Sequence, residues 1–392
     1  MTQLRSGLQG VAVAETVLSH VDGARGRLVV AGHDVERIAG TLSFERAAAL
    51  LWADGERIEP RAVAEALGSA RAEAFALLPT LGGALDTGDA MDALRASVAH
   101  LVEGRDATRR WEAFARITGA VSVFAAAWAR RRAGEAAVAP DPSLGHAADY
   151  LHMLRGDAVE SYEVSALDAY FVTVMDHGLN ASTFAARVVA STGSDLVSAV
   201  TAAIGALKGP LHGGAPGPVL DLLDLVAVPE RAREVLESEL GARRRIMGMG
   251  HRVYRVRDPR AAVLEAAVER LRAATLSESA ALGATAVEGG ERANHVAARL
   301  ELARAVEREA TALLAVRYPS RALRANVEFY TAVLLEAIGV PRELFSATFA
   351  CARTAGWAAH VDEERRKGRL IRPTSIYVGP LPAEDAATRS AG

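Results

Sequence analysis

The sequence predicts a mainly α-helical protein, and three features support this fold class. Alanine, leucine, glutamate and arginine dominate the composition, whereas runs of β-branched residues are scarce. Long stretches repeat apolar residues at positions i, i+3 and i+4, which is typical of amphipathic helices. The breaks between these stretches contain glycine and proline. At 392 residues, the chain has the length of two or three ordinary domains and is long enough to bury a sizeable core.

Individual elements follow from the local patterns. Ser43 has the character of an N-cap, and Asp258 precedes Pro259 in the order that opens a helix. A short strand is predicted at residues 27–31, and the polar, glycine-containing stretch at residues 285–294 predicts a surface loop. The clearest helical patterns cover residues 43–53, 61–78, 91–103, 108–132 and 260–274.

The charge balance and the single cysteine exclude several classes of function. The chain has 45 basic and 48 acidic residues, so a net charge of −3 gives no global attraction to nucleic acid or anionic membranes. Cys351 alone can form neither an intramolecular disulfide nor a cysteine zinc site. No apolar run approaches the roughly 18 residues that span a bilayer, and the N-terminus has no secretory apolar region. We therefore expect a cytoplasmic protein with no nucleic-acid or membrane partner.

Common catalytic motifs are missing. The sequence has no phosphate-binding G-x-x-x-x-G-K-[ST] loop, no H-E-x-x-H and no serine nucleophile elbow. Residues 247–253 (MGMGHRV) lack the third glycine of a dinucleotide fingerprint. We expect neither a metal nor a redox cofactor.

What remains is a set of histidines, arginines and one glutamate in glycine-rich or turn-like segments. Taken singly, such a histidine is more often a hydrogen-bonded structural residue than a catalytic one, and an arginine or glutamate is more often solvated. The segments are 176–183 (DHGLNAST), 209–215 (GPLHGGA), 247–254 (MGMGHRVY) with DPR at 258–260, 326–330 (NVEFY), and 353–357 (RTAGW) followed by 369–373 (RLIRP).

Together, and in this order, these segments resemble the citrate synthase family from about residue 7 to residue 378. The resemblance looks closest to the short bacterial branch that includes 2-methylcitrate synthases. It implies a mainly α, two-domain fold and a homodimer whose sites are shared between subunits. Residues 1–212 and 324–392 would form a large domain with the dimer interface, and residues 213–323 a small domain that closes over the cleft.

The resemblance also implies three catalytic residues. A thioester methyl group is a very weak acid, so a carboxylate can deprotonate it only if the enolate oxygen is stabilised at the same time. Glu328 stands at the general-base position, and His212 at the position that hydrogen-bonds the thioester carbonyl. His251 matches the histidine that hydrogen-bonds the ketone of oxaloacetate.

Substrate-binding residues follow from the same resemblance. Arginine can bind a carboxylate with two hydrogen bonds, which suits the two carboxylates of oxaloacetate. The matching oxaloacetate ligands are His177, Arg260, Arg353 and Arg372, the last reaching into the neighbouring subunit's site. The coenzyme A contacts would be Arg255 near a phosphate and, near the adenine, the backbone of Ile246, Met247, Gly248, Met249 and Gly250.

The sequence departs from the family pattern in three places. The family's usual base is aspartate in N-V-D-F-Y, whereas Glu328 is one methylene longer, about 1.5 Å. A misplacement of about 1 Å can cost roughly 100-fold in rate, but we expect compensation because the other ligands are all present. Residues 30–32 (VAG) replace an aromatic-Arg-Gly, and residues 276–295 look longer than in near relatives.

Several functions stay open on this basis. The leading hypothesis is a citrate synthase that uses acetyl-CoA, and its nearest alternative is a 2-methylcitrate synthase that uses propionyl-CoA. One methylene changes selectivity by only about 1–3 kcal/mol, and no single residue decides between the two. Because Glu328 replaces the usual aspartate base, another hypothesis is a non-catalytic regulator that binds CoA or oxaloacetate. A purely structural helical protein is the last alternative, and it predicts no thermal shift with oxaloacetate.

Overall fold

A computed structural model describes residues 6–8, 10–103, 109–213, 216–282 and 287–380. The regular structure of this part includes fifteen α-helices, three short strands and several short 3-10 helices, which confirms the mainly α prediction. The strands are β1 (Ser19–Asp22), β2 (Arg27–Val30) and β3 (His33–Asp34). The helices are α1 (Val35–Ile38), α2 (Phe44–Trp52), α3 (Pro60–Leu77), α4 (Ala90–Val98), α5 (Arg110–Arg132), α6 (His146–Arg155), α7 (Ser161–Val174), α8 (Ala181–Ser191), α9 (Leu196–Leu207), α10 (Pro216–Val226), α11 (Ala232–Gly241), α12 (Pro259–Leu282), α13 (Val287–Arg317), α14 (Val327–Ala337) and α15 (Phe345–Lys367).

The three strands form one small antiparallel sheet in the order β1-β2-β3. The predicted strand at 27–31 is confirmed as β2, which ends one residue earlier. Val30 pairs with His33, so Ala31 and Gly32 form a two-residue turn with φ angles of +48° and +81°. The departure from the family pattern at residues 30–32 therefore lies in a hairpin turn, where only Gly32 adopts a positive φ without steric cost.

The predicted helices are present, with shifted ends. Ser43 caps α2 by accepting the backbone N–H of Arg46, and Asp258 accepts the N–H of Arg260 at the start of α12. The predicted helix at 91–103 ends at Val98, because the chain tightens into turns closed by short-range backbone hydrogen bonds. Helix α12 continues to Leu282, beyond the predicted end at 274.

The prediction of a surface loop at 285–294 was wrong for residues 287–294, which form the first turns of α13. Residues 285 and 286 lie outside the described part. A glycine costs a helix only about 1 kcal/mol relative to alanine. The buried residues Ala293 and Val296 show that tertiary packing supports the first part of this helix.

Helix α15 is the central element for the candidate site. Most of its residues are buried, including the polar Arg353 and His360. A Cβ at Gly356 would lie 2.2 Å from the carbonyl oxygen of Met175. Glycine at this position therefore allows α15 to approach the end of α7, and this approach places Arg353 beside the segment that carries His177.

Candidate active site

His177 lies in the short connection between α7 and α8. Asn180 ends this connection as the N-cap of α8, because its side-chain oxygen accepts the backbone N–H groups of Ser182 and Thr183 at 3.1 Å. The preceding Asp176 is fully buried. The cap and the buried aspartate fix the length and path of the connection that holds His177.

The glycine-rich segment before His251 is fastened to the N-terminus of α14. The backbone N–H of Asn326 donates to the carbonyl of Gly248 at 2.9 Å, and the Asn326 side-chain amide donates to the carbonyl of Gly250 at 2.8 Å. The Asn326 side-chain oxygen also caps α14 by accepting the N–H of Glu328 at 3.0 Å. A single asparagine thus brings the segments of His251 and Glu328 together.

The hydrogen bonds of His251 define which ring nitrogen carries its proton. Its Nδ1 accepts the backbone N–H groups of Val253 and Tyr254, each at 3.0 Å. Burial, together with the positive charge of Arg260, lowers the pKa of His251 to about 4, so the ring is neutral near pH 7. The neutral ring therefore carries its proton on Nε2 and can donate it in a hydrogen bond.

Arg260 is a buried cation with a carboxylate partner. Its Nε and Nη2 donate to the two oxygens of Asp258 at 3.0 and 2.7 Å, and this ion pair raises the pKa of Arg260 although burial opposes it. Asp258 also accepts the backbone N–H of Val327 at 3.2 Å. The start of α12 is thereby joined to the start of α14, and Nη2 of Arg260 lies 3.3 Å from Nε2 of His251.

Arg353 is a buried cation without such a partner. Only 1% of its surface is exposed, and its guanidinium group packs over the ring of Phe349 with the carbon 4.4 Å from the ring centroid. Its Nε donates to the carbonyl of Val174, and it forms no ion pair with any described residue. Burial lowers the pKa of Arg353 to about 10; the charge of Arg260 adds to this effect, while the charges of Asp176 and Glu328 oppose it, and the group stays positive at pH 7. A buried cation that has no directly paired carboxylate favours an anionic ligand.

Glu328 lies in the first turn of α14 and keeps some access to solvent. Its carboxylate makes no hydrogen bond or ion pair within the described ranges. Burial raises the pKa of Glu328 to about 7, and the charge of Asp258 adds to this effect while Arg260 and Arg353 oppose it. A carboxylate with a pKa near neutrality is suited to general-base catalysis near pH 7.

His212 lies in the turn after α9, where its ring faces the start of α8. Its Nε2 accepts the backbone N–H of Ser182 at 3.3 Å and lies 2.8 Å from the Ser182 hydroxyl, which accepts the indole N–H of Trp357 at 3.1 Å. Burial and the charge of Arg353 lower the pKa of His212 to about 4. The neutral ring therefore carries its proton on Nδ1.

His177 completes an aromatic cluster with His251 and Tyr254. The His177 ring lies 5.6 Å from the His251 ring and 5.7 Å from the Tyr254 ring, between centroids. Burial and the charges of Arg260 and Arg353 lower the pKa of His177 well below its usual range. The site thus contains three neutral imidazoles near two permanent cations.

The structure brings six of the predicted residues together through contacts or charge interactions, and it leaves Arg372 apart. Arg372 is exposed in the irregular segment after α15 and makes no hydrogen bond or ion pair with a described residue. The Arg255 side chain is exposed, and its positive charge acts on His251. Of the backbone segment at 246–250, Ile246 is buried and Met249 forms an isolated bridge to Ala325. The six residues are His177, His212, His251, Arg260, Glu328 and Arg353.

Sequence reasoning did not identify the part that four residues play in holding this site together. Asp258 was predicted as a helix cap only, yet it also binds Arg260. Tyr254 and Ser182 lie in the quoted segments, but their contacts depend on residues far away in the chain. Trp357 follows Arg353 by four positions, and this spacing places both on one face of α15. That spacing is the signal that could have identified Trp357.

Within the described ranges, no group of three or more histidine, cysteine, aspartate or glutamate side chains could hold a metal ion. Among the helices of these ranges, none is both long and apolar enough to cross a membrane.

Known proteins resemble this chain over most of its length. A family model described as "Citrate synthase, C-terminal domain" matches residues 7–374. Citrate synthase from Haloferax volcanii is 37% identical over 397 residues, which cover 96% of each chain. 2-Methylcitrate synthase from Mycobacterium tuberculosis is 35% identical over 385 residues, covering 96% of this chain and 91% of that protein. Putative citrate synthase 2 from the same organism is 48% identical over 219 residues, and this match spans about half (52%) of the relative's length.

Solved structures show the same likeness. Citrate synthase from Thermotoga maritima has a TM-score of 0.79 and 30% identity, with 97% of each chain covered. Citrate synthase from Thermoplasma acidophilum, solved as a ternary complex with carboxymethyl coenzyme A and oxaloacetate, has a TM-score of 0.81 and 25% identity. That alignment covers 98% of this chain and 100% of the neighbour. The predicted mainly α, two-domain fold is therefore confirmed.

Proposed function

The chain belongs to the citrate synthase family, and we propose that it condenses acetyl-CoA with oxaloacetate and hydrolyses the thioester to release citrate and CoA. The observation that carries this proposal is the buried cation of Arg353, which has no directly paired carboxylate among the described residues and lies near neutral imidazoles and a carboxylate whose pKa is about 7. Such a site favours an anionic substrate and has a group that can accept a proton at neutral pH.

Oxaloacetate would bind through its two carboxylates. Arg353 has free guanidinium N–H groups for one of them, and Arg260, whose Nε and Nη2 donate to Asp258, would offer its remaining N–H groups to the other. His177 would add a neutral hydrogen-bond donor. Arg372 would come from a neighbouring subunit, and its exposure on the segment after α15 is compatible with that position.

In the condensation, Glu328 would remove a proton from the thioester methyl group. The Nδ1–H of His212 would hydrogen-bond the thioester oxygen, which gains negative charge as the enolate forms. The enolate carbon would then form a bond to the ketone carbon of oxaloacetate. The ketone oxygen would take up a proton through the Nε2–H of His251, and water would hydrolyse the resulting citryl-CoA. These steps require neither a metal nor a redox cofactor.

Coenzyme A would lie along the backbone of residues 246–250, with Arg255 near a phosphate. Arg255 supports this placement because its side chain is exposed, while its backbone N–H donates to the carbonyl of Gly23 at 2.8 Å. The exposed cation is thus held at the edge of the histidine cluster, where a phosphate could reach it from solvent.

The site would close by a movement between two domains, residues 1–212 with 324–392 and residues 213–323. His251 and Arg260 belong to the second, and His177, His212, Glu328 and Arg353 to the first. The contacts that join these residues cross this proposed boundary. Closure would therefore complete the site and exclude water before proton abstraction.

We also propose a cytoplasmic homodimer. Helix α9 supports the dimer because it has a half-buried face with no charged residue, and the described part of the chain covers that face only in part. Sedimentation should give twice the chain mass, and Ala202→Arg on that face should dissociate the dimer. Ala139→Arg, an equal change at an exposed site, should leave the mass unchanged. The half-buried face consists of Val197, Ser198, Thr201, Ala202, Gly205 and Ala206.

The activity is tested by CoA-thiol release with oxaloacetate, run in parallel with acetyl-CoA and propionyl-CoA. Faster release with acetyl-CoA supports the proposal. Faster release with propionyl-CoA would favour 2-methylcitrate synthesis, which the similarity to the M. tuberculosis 2-methylcitrate synthase keeps as the second candidate. Binding of oxaloacetate by calorimetry without any release would identify a non-catalytic regulator.

A matched pair of variants assigns the release to the candidate site. Glu328→Gln should lower the rate of release about 100- to 10,000-fold because it removes the base. Glu234→Gln makes the same chemical change in the first turn of α11, at an exposed position, and should behave as the wild type. Equal activity of both variants would exclude Glu328 as the base.

A further inference from the structure

Tyr254 contacts both histidines of the aromatic cluster, through different atoms. Its backbone N–H donates to Nδ1 of His251 at 3.0 Å, and its side-chain hydroxyl lies 3.1 Å from Nε2 of His177. The same ring packs against His251 with centroids 4.6 Å apart, and the guanidinium carbon of Arg260 lies 5.8 Å from its centroid. One residue thus contacts three of the side chains expected to bind oxaloacetate.

The position of Tyr254 is itself fixed by the surrounding chain. Only 1% of the residue is exposed. The next residue, Arg255, donates its backbone N–H to Gly23 in the turn between β1 and β2. A Cβ at Gly23 would lie 2.3 Å from the carbonyl oxygen of Val253, so glycine permits the close approach of this turn. The β1–β2 hairpin therefore supports the segment from His251 to Tyr254.

The hydroxyl group of Tyr254 remains protonated, because burial raises the pKa of the phenol above its usual range. His177 is neutral for the reasons given above. A neutral imidazole has one acceptor nitrogen and one donor nitrogen. If the phenol donates to Nε2, the proton of His177 must lie on Nδ1, and the ring is held in one tautomer and one orientation.

We propose that Tyr254 is a positioning residue for oxaloacetate: its hydroxyl donates to Nε2 of His177 and orients that ring, while its backbone N–H holds His251 in the tautomer with Nε2 protonated. This inference rests on the proposed function. It predicts that the hydroxyl serves oxaloacetate binding more than proton abstraction, because it contacts His177 and has no contact with Glu328 or His212.

The test is Tyr254→Phe, which keeps the ring and removes the hydroxyl. Loss of one hydrogen bond to the binding residue should raise the KM for oxaloacetate about 10-fold. The kcat at saturating oxaloacetate and the KM for acetyl-CoA should stay within about twofold, since the hydrogen bond is not to the groups that act on the thioester. In a His177→Asn background, Tyr254→Phe should have no further effect on this KM.

Tyr150→Phe is the matched control. Tyr150 is fully buried and its hydroxyl lies 2.7 Å from the hydroxyl of Thr348, so the variant also loses one buried tyrosine hydrogen bond but contacts no histidine of the site. It should leave the KM for oxaloacetate unchanged. The same variants should be titrated with oxaloacetate by calorimetry, so that the inference is tested even if the wild type releases no CoA.

Three results would overturn the inference. An unchanged KM and Kd for oxaloacetate would show that the hydroxyl does not act on binding. A lower KM would show that Tyr254 competes with oxaloacetate for His177. An additive effect in the His177→Asn background would show that the hydroxyl acts independently of that ring.

Discussion

Arg353→Met would separate ligand binding from stability, because it removes a buried charge that forms no ion pair with a described residue. The fall in the pKa of Arg353 from 12.5 to about 10 corresponds, at about 1.36 kcal/mol per pH unit, to about 3 kcal/mol by which the fold disfavours the cation. The variant recovers this free energy but strands the carbonyl of Val174, at a cost of about 1–3 kcal/mol. The free energy of unfolding without ligand should therefore change by less than about 2 kcal/mol.

Arg187→Met is the matched control for this change. Arg187 is equally buried, but it donates to Glu363 at 2.6 Å and to Glu364 at 2.7 Å. Its removal leaves two buried carboxylates without their cation, which should cost about 3–5 kcal/mol. In urea unfolding, Arg353→Met should thus stay near wild-type stability, whereas Arg187→Met should be strongly destabilised.

Oxaloacetate should stabilise the wild type against unfolding much more than it stabilises Arg353→Met. At a concentration 100 times its Kd, a ligand stabilises the wild type by about 2.7 kcal/mol. Loss of the charge-assisted hydrogen bonds of Arg353 should weaken binding by about 1.5–3 kcal/mol or more, which reduces that stabilisation to about 1.3 kcal/mol or less. The reasoning is refuted if Arg353→Met keeps the full stabilisation by oxaloacetate, or if it loses as much stability as Arg187→Met.

Four further predictions concern the same site. Glu328→Gln should lower the rate of thiol release about 100- to 10,000-fold while the Kd for oxaloacetate stays within threefold, and a parallel loss of binding would contradict a role limited to the base. Because Glu328 must be deprotonated and its pKa is about 7, kcat/KM should rise about tenfold per pH unit below pH 7 and level off above it; a profile that is flat down to pH 5 would argue against this base. Gly248→Ala should lower the stability against urea, since Gly248 has φ +75° and a Cβ would lie 2.8 Å from the Phe329 ring. Wild-type stability would show that residues 246–250 can shift away from Phe329 at little cost. Trp357→Phe, which removes the N–H donated to the Ser182 hydroxyl, should lower kcat about 3- to 10-fold without changing the KM for oxaloacetate. An unchanged kcat would show that this hydrogen bond does not help to orient the His212 ring, which lies against the same hydroxyl.

The fold could be predicted from the sequence where local signals determine the structure. The caps at Ser43 and Asp258 act within a few residues, so the starts of α2 and α12 follow from the sequence. The prediction failed at 287–294, where glycines suggested a loop but α13 packs into the core from Ala293 onward. Each glycine destabilises a helix by only about 1 kcal/mol relative to alanine, and the tertiary packing of α13 outweighs this cost.

The candidate site also depends on contacts between residues far apart in the chain, which the sequence does not show. The sequence indicates which histidines and arginines to examine, but it does not show that Arg260 forms an ion pair with Asp258 while Arg353 forms none with a described residue. The only described hydrogen-bond partner of Arg353, Val174, lies 179 positions away. The tautomers of His212 and His251 also depend on backbone N–H groups whose positions follow from the fold.

One face of α15 explains why the His177 segment is held so firmly. Arg353, Trp357 and His360 follow the spacing i, i+4 and i+7, so they share a helical face. Their partners are all in or beside the connection between α7 and α8: Val174, the hydroxyl of Ser182, and Asp176, whose carboxylate lies 3.2 Å from Nε2 of His360. His360 therefore supports the residue next to His177.

Glu328 lies on a different element, α14, and its basicity depends on charges that the substrate would change. Without ligand, Arg260 and Arg353 lower its pKa, while burial and Asp258 raise it to about 7. The two carboxylates of bound oxaloacetate would offset both arginines, so the pKa of Glu328 would rise and the carboxylate would become a stronger base. Proton abstraction would then be favoured when the acceptor for the enolate is already bound. The additional methylene of glutamate leaves this electrostatic coupling intact, because the coupling depends on the position of the charges around the carboxylate and not on hydrogen bonds to it.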